Sequence, residues 1–293
     1  PRCGIAAHAT ALPVRLTLRD FARVVLVVVI WGFAFVPMRW ALVETPPLLL
    51  ACLRFLCAAI PAVFFIRRPA TGWPTIVGYG FAIGVFQFGL LFTGMQLGMP
   101  AGLSSLVIQT QVFFTIGLAA WWLHDRFDRS SLVGAAVAGA GIVLLAWSKL
   151  TAGATATFTG FLLVIAAAAS WAVGNVLAKR AAGRADVDML GLVVWSSLVA
   201  PVPLAIASYV LEGGLHIITV VCDMTWVPWA CVLFMSYFAT LFGLAQWNAL
   251  LHRYPTAVIA PFALLIPVAG LASGSLFLGE RLSGTNWAGA ALI

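Results

Sequence analysis

Apolar residues fall in runs too long for a soluble fold. A helix that crosses a bilayer needs about 20 consecutive, mostly apolar residues. Nine stretches meet that requirement: 22–42, 46–66, 74–95, 100–123, 130–148, 158–178, 188–210, 226–250 and 256–279. A tenth starts near Gly284, contains Trp287 and reaches Ile293 in mid-bilayer. A helix stopping there would leave carbonyls unsatisfied in hydrocarbon, so the native chain is expected to complete a tenth span. Polar punctuation separates the runs: Thr45-Pro46-Pro47, Arg67-Arg68-Pro69, Gly98-Met99-Pro100 and Arg253-Tyr254-Pro255. The longest connection, 211–225, holds Glu212, Gly213 and Gly214. The pattern predicts an all-α integral membrane protein of ten transmembrane helices, with an N-terminal arm over 1–21 and no separate soluble domain.

Composition agrees. Of 293 residues, 63% are hydrophobic and 9% charged, against roughly 25% charged in an ordinary soluble domain. Twelve Trp and 20 Phe exclude disorder. A net charge of +7 and a pI near 9.7 would fit a nucleic-acid partner, but the distribution points elsewhere. Twelve of the 16 Lys and Arg residues flank alternate boundaries (the arm, then the 2–3, 4–5, 6–7 and 8–9 connections), whereas only Arg39, Lys149 and Arg281 lie on the opposite side. The positive-inside rule then places the N-terminus in the cytoplasm and excludes nucleic acid. Trp40, Trp73, Trp121, Trp122, Trp147, Trp226, Trp229 and Trp287 lie near span ends, as an interfacial belt requires; Trp31, Trp171, Trp195 and Trp247 lie deeper. Five scattered Cys form no CxxC motif or Cys/His cluster, so no metal and no cofactor is implied.

An internal repeat organises the spans. Pro100-Ala101-Gly102 matches Pro255-Thr256-Ala257, Asp125-Arg126 matches Glu280-Arg281, and Gly134-Ala135-Ala136 matches Gly289-Ala290-Ala291, each pair 155 residues apart. Trp31 and Trp171 open analogous segments 140 apart, the difference falling in the 211–225 connection. The units are 22–148 and 149–293, with five helices each. Five is odd, so the second copy enters the membrane from the opposite side, and the chain forms two inverted five-helix repeats. Such repeats generate a pseudo-two-fold axis in the membrane plane, the geometry of alternating access. That favours a carrier over an enzyme or receptor.

The sequence resembles the drug/metabolite transporter superfamily, in its EamA-type branch of ten-helix proteins. The resemblance covers the chain from about residue 22. It is carried by Trp31-Gly32 in the first span, Arg54 in the second, Ala101 through Asp125-Arg126, Trp171 in the sixth, and Ala257 through Pro267 to Leu278-Gly279-Glu280-Arg281. The chain departs from the family where it reads Gln109-Thr110-Gln111-Val112 in place of a frequent Pro in the fourth span, and Asp125 in place of a usual Glu. The resemblance implies export of amino acids or other metabolites from the bacterial cytoplasm across the inner membrane by a working monomer. Among its members the chain looks most like the aromatic amino-acid exporters.

Polar groups at membrane depth are costly unless they face a partner or a cavity. The candidate substrate-binding residues are Trp31, Arg54, Tyr79, Gln87, Gln111, Trp171, Asn175, Tyr237, Trp247 and Asn248. Gln87 and Tyr79 fall on roughly one side of the third span; Ser104, Gln111 and Thr115 share a face of the fourth; Trp171 and Asn175 are four apart on the sixth; Tyr237 and Thr240 lie on the eighth. Such amides can equally glue helices together. What favours a site is that equivalent helices of both repeats carry amides and deep aromatics. Amides suit the ammonium and carboxylate of an amino acid, and Trp faces suit an apolar side chain or, by cation–π attraction, an ammonium. Arg54, the one charge placed inside a span, either snorkels to the outer interface, bonds backbone carbonyls, or meets a substrate carboxylate.

All nine acidic residues and all four His lie outside the spans or at their ends. A proton-coupled carrier keeps such a group at depth, so the expectation is an uncoupled facilitator or exchanger, with sodium held by backbone carbonyls as the alternative. No GxxxxGK[ST] loop, HExxH motif or intramembrane carboxylate pair is present, so neither an ATP-driven pump nor a membrane enzyme is indicated. The competing readings are a lipophilic-cation efflux carrier, which wants an acidic group in the cavity; a phosphorylated-sugar or nucleotide-sugar antiporter, which wants several deep cations; and a non-transporting membrane scaffold.

Overall fold

The computed structural model describes residues 16–99, 101–123, 157–182, 187–214 and 216–278, with 133–134, 136–137, 139–141, 143–144 and 147. These residues carry eight spanning helices, named here by their order in the sequence: first Leu18–Glu44, second Pro47–Phe65, third Trp73–Gln96, fourth Leu103–Trp122, sixth Phe158–Ala181, seventh Met189–Leu211, eighth Trp226–Arg253 and ninth Ala260–Leu278. Most of the fifth span, the tenth span, Asp125-Arg126 and the arm to residue 15 lie outside the described residues. The 211–225 connection, expected as a loop, contains a short helix, His216–Asp223.

Most of the long helices are interrupted, and the causes are readable. Pro37 has no N–H to offer the carbonyl four residues back, and the first span divides at Ala34 into Leu18–Phe33 and Phe35–Glu44. Pro201 divides the seventh in the same way, into Met189–Ser197 and Pro201–Leu211. The third span widens to a π-helix over Gly80–Gln87 and the eighth over Met235–Leu244; Gly80 and Met235, which open them, are 155 residues apart. The fourth span tightens to a 3-10 turn over Ile108–Thr110 and the ninth over Ala260–Leu265, and their last residues are again 155 apart. In the ninth span Pro261 lies in the first turn of the tight segment and Pro267 just beyond its end. The fourth has no proline; instead the Thr110 hydroxyl donates to the Val107 carbonyl at 2.8 Å, competing with the helical ladder. Thus the sequence repeat reappears as matched departures from α geometry.

The two halves interlock. The first span packs along the ninth while its counterpart, the sixth, packs along the fourth; the first also meets the eighth as the sixth meets the third, and the second meets the seventh. Single hydrogen bonds follow the same swap. Trp31 Nε1 donates to the Ala239 carbonyl within one π segment at 2.9 Å, and Ser170 Oγ donates to the Ala82 carbonyl within the other at 2.8 Å. Contact of each unit with the other's equivalent element is the signature of two-fold pairing.

Close approach at these crossings depends on glycine. Gly80 faces the Ser196 carbonyl and Val199, and Gly94 faces the Gly160 carbonyl, so the small-residue pairs Gly80/Gly84 and Gly94/Gly98 do pack helices together. At Gly32 a Cβ would stand 2.5 Å from Ala269 Cβ and 2.8 Å from the Ile266 carbonyl oxygen. Gly32→Ala should therefore wedge the first span off the ninth and cost about 1–3 kcal/mol. Gly117→Ala, with nothing within 4 Å of the added methyl, should cost nothing. Melting of the two purified variants in detergent checks this: equal melting temperatures would contradict the packing.

Candidate functional site

Several of the departures from α geometry converge on one place. A cavity lies among the first, second, third, fourth, sixth, eighth and ninth spans. Its wall takes Ala34 from the break in the first span, Gln87 from the third span's π-helix, Ile108 and Gln109 from the fourth span's tight turn, and Ala239 and Leu244 from the eighth span's π-helix. Trp31, Phe35, Met38, Arg54, Phe88, Leu91, Trp171 and Ile266 complete it. Irregular backbone at membrane depth is tolerated where it is buried in protein or lines a cavity, and these segments line one.

Four of the anticipated residues, Trp31, Arg54, Gln87 and Trp171, stand on this wall. Arg54 does not snorkel: it is 2% exposed. Its Nε donates to Thr240 Oγ1 at 2.8 Å, and its guanidinium carbon sits 3.8 Å from the centroid of the Phe88 ring. No carboxylate pairs with it among the described residues. Three further wall residues carry buried polar atoms without a hydrogen-bond partner: Gln87 Oε1, Gln109 Oε1 and Trp171 Nε1. Buried polar atoms are ordinarily satisfied; these three face one cavity, while Gln111 Nε2 and Asn248 Oδ1 in the adjoining layer and the hydroxyls of Thr45 and Thr71 also lack partners.

Tyr79, Gln111, Asn175, Trp247 and Asn248 lie elsewhere, in a buried polar layer beside the cavity. Gln111 Oε1 accepts from Thr115 Oγ1 and Asn175 Nδ2, both at 3.0 Å. Asn175 Oδ1 in turn accepts from Trp247 Nε1 at 3.1 Å, and Asn248 Nδ2 donates to the Tyr79 hydroxyl at 2.8 Å. Trp31 joins layer and cavity, its ring centroid 5.3 Å from those of both Trp171 and Trp247, within the range of favourable aromatic pairs. Trp195, also read as deep, instead donates to the Ile66 carbonyl and packs edge-on against Trp73.

Tyr237 is the correction. It is 37% exposed and absent from the cavity wall. An α-helix would put Tyr237 and Thr240 on nearby faces, but both lie in the π segment, whose i→i+5 bonding widens the turn and separates them. Thr240 is fully buried against Arg54. Gln109 was missed as a site residue: helical spacing selected Gln111 with Ser104 and Thr115, and only the tight turn brings Gln109 to the wall.

Beyond the polar layer, at the start of the first span, a second closure holds the halves together. The Asp20 carboxylate, 1% exposed, accepts from the Tyr254 hydroxyl at 2.8 Å, Arg253 at 2.9 Å, Arg23 at 3.1 Å and the Thr17 hydroxyl at 2.9 Å. At the other end of the bundle Glu212 does comparable work, accepting from the backbone amides of Leu48 and Leu49 at 2.6 and 3.1 Å and so capping the second span's N-terminus.

Comparison with known proteins accords with this architecture. A protein of Salmonella typhimurium named "Probable amino-acid metabolite efflux pump" is 43% identical over 281 residues, covering 95% of this chain and 93% of its own length. One of the same name from Escherichia coli K12 is 41% identical with the same coverage. A solved crystal structure superposes with a TM-score of 0.72 over 94% of this chain and 93% of its own, at 18% identity, and so shares the fold. The EamA-like transporter family matches twice, over residues 22–147 and 158–293, once for each interlocked half. With two matches that together span nearly the whole chain, this multi-pass membrane protein belongs to the EamA-like transporter family.

Proposed function

We propose that this transporter exports amino acids, aromatic and other apolar ones among them, or similar small amphiphilic metabolites across a bacterial inner membrane, by alternating access around the cavity. The observation that carries the reading is the cavity itself, set between two interlocked halves, mostly apolar, and lined by unbonded polar atoms on Gln87, Gln109 and Trp171. Apolar walls with a few convergent polar groups are the usual make-up of a small-molecule site. The relatives named as probable amino-acid metabolite efflux pumps support the substrate class.

In this reading the repeats are 22–148 and 149–293, the N-terminus is cytoplasmic, and the working unit is a monomer. Trp31, Arg54, Gln87 and Trp171 contact the substrate. Tyr79, Gln111, Asn175, Trp247 and Asn248 hold the layer that separates the cavity from the cytoplasm, and the Asp20–Arg253–Tyr254 cluster seals that end. Transport outward then requires both layers to open and close, with the halves rocking about their pseudo-two-fold axis. The driving force is the substrate's own gradient. Among the described residues Asp20 is the buried acidic group, and it is engaged by three neighbouring side chains and its own helix cap far from the wall, a poor place for a proton that must visit both sides.

Counterflow in proteoliposomes with a panel of labelled amino acids is the direct test. Saturable exchange is expected. Trp171→Ala should weaken apparent affinity for aromatic substrates about 10-fold by removing a ring from the wall. Gln111→Ala, which strips Asn175 and Thr115 of a shared acceptor, should lower flux without reordering the panel. If neither variant changes flux or selectivity, the site assignment is wrong; if nothing in the panel exchanges, the substrate class is wrong. A pH gradient imposed across the same vesicles should leave initial rates unchanged, and rates rising in proportion to the gradient would contradict uncoupled transport.

A further inference from the structure

Resting on the reading of the cavity as the transport site, we infer that Arg54 is the receptor for a carboxylate on the transported molecule, so that the substrates are zwitterions or anions and never simple amines or lipophilic cations. The basis is an unbalanced charge. A guanidinium inside a span is tolerated when it is paired or faces a water-filled or ligand-filled cavity. Arg54 is 2% exposed and lines the cavity, and the described acidic residues are committed elsewhere or lie far from it. Asp20 holds Arg23, Arg253 and Tyr254, Glu212 caps the second span, and Glu44 meets Thr225 at the surface.

The side chain is also held in place. Nε is spent on Thr240 Oγ1, and that hydroxyl in turn donates to the Met235 carbonyl, so the guanidinium is anchored at one edge. Phe88 covers one face of it. Among the described residues no acceptor bonds the two terminal nitrogens, the edge whose geometry matches a carboxylate with two parallel hydrogen bonds. On the wall of the same cavity, Gln87 Oε1 and Gln109 Oε1 are acceptors with no donor, the complement of an ammonium. The wall thus holds both a charged donor and unpaired acceptors, with Trp31 and Trp171 also lining it. An α-amino acid satisfies both; an amine alone would bring a second positive charge to a cavity that already holds one.

Binding and transport are read separately. Purified protein in detergent is melted with L-phenylalanine, 3-phenylpropionate (the same acid without the ammonium) and 2-phenylethylamine (the same amine without the carboxylate). Wild type should be stabilised by the first two and not by the third. In Arg54→Gln the stabilisation by both carboxylates should disappear, corresponding to about a 100-fold weaker affinity. Arg54→Lys, which keeps the charge and loses the fork, should retain the carboxylate preference with a smaller shift; it and the wild-type panel keep the test decisive if Arg54→Gln does not fold. Arg39→Gln, an exposed cation outside the cavity, should behave as wild type. Stabilisation by phenylethylamine equal to that by the acids, a carboxylate-dependent shift that survives Arg54→Gln, or no stabilisation by any of the three would overturn the assignment. Carboxylate binding that needs Arg54 without any amino-acid counterflow would leave this inference standing and remove the export reading; counterflow inhibited equally by amines would do the reverse.

Discussion

A polar group inside a bilayer has no water to fall back on, and that constraint governs the whole molecule. An unbroken α-helix meets it by pairing each amide with a carbonyl one turn back. This chain breaks the ladder at several places, among them π turns in the third and eighth spans, the tight turn in the fourth and the gap at Ala34 in the first. These four line one cavity, the tight turn of the ninth span ends one residue before the wall residue Ile266, and the breaks in the second and seventh spans lie off it. The carbonyls within the two π turns receive side-chain donors from the opposite repeat, Trp31 in one case and Ser170 in the other. The irregular backbone that shapes the cavity is therefore held by the same bonds that fasten the halves together. Neither half would be complete in lipid alone, since the donor that satisfies each π segment belongs to its partner.

This coupling bears on motion. Helix–helix hydrogen bonds in membranes are individually modest, about 0.6 kcal/mol on average, so a bundle fastened by scattered bonds and glycine crossings can exchange one packing for another at low cost. The contacts are unevenly placed for that. The glycine crossings, Gly32 against the ninth span and Gly80 against the seventh, are backbone-close and apolar and lend themselves to sliding. The polar contacts lie in layers: the Gln111–Asn175–Trp247 group beside the cavity and the Asp20 cluster at the end of the bundle. A layer can be broken as a unit, whereas a buried crossing between glycines can only shift along its groove.

How much of this was legible in the sequence follows from which signals survive folding locally. Span lengths and the 155-residue repeat depend on composition and spacing, and the eight described spans fall where hydropathy placed them. Burial of Trp31, Trp171 and Trp247 also followed from depth along a span. Failures cluster where the helix is not α. Tyr237 is named for its depth on the eighth span, but the π turn there parts it from the buried Thr240; on the fourth, helical spacing selects Gln111 with Ser104 and Thr115 and passes over Gln109. The fourth span offered no proline to announce its tight turn; only the Thr110 hydroxyl, bonded to the Val107 carbonyl, betrays it. Trp195 was misjudged differently, since nothing local says that the carbonyl awaiting its indole belongs to Ile66 near the end of the second span.

On the role proposed for Arg54, these irregularities matter to function. Had the second span met only regular helices, the guanidinium would have faced hydrocarbon or closed helix backbone with nothing to accept its protons, and burial would have been too costly to persist. The π turn of the eighth span buries Thr240 against it, and the end of the third span's π turn brings Phe88 over its face. These contacts hold the side chain without neutralising it. A permanent carboxylate partner would have made the site more stable and less useful, because a substrate anion would then have to displace a tethered one before binding. A charge held in place yet left unpaired gains most when a mobile anion arrives and loses that gain when it leaves, which is the property a carrier needs of a group that must bind on one side and let go on the other.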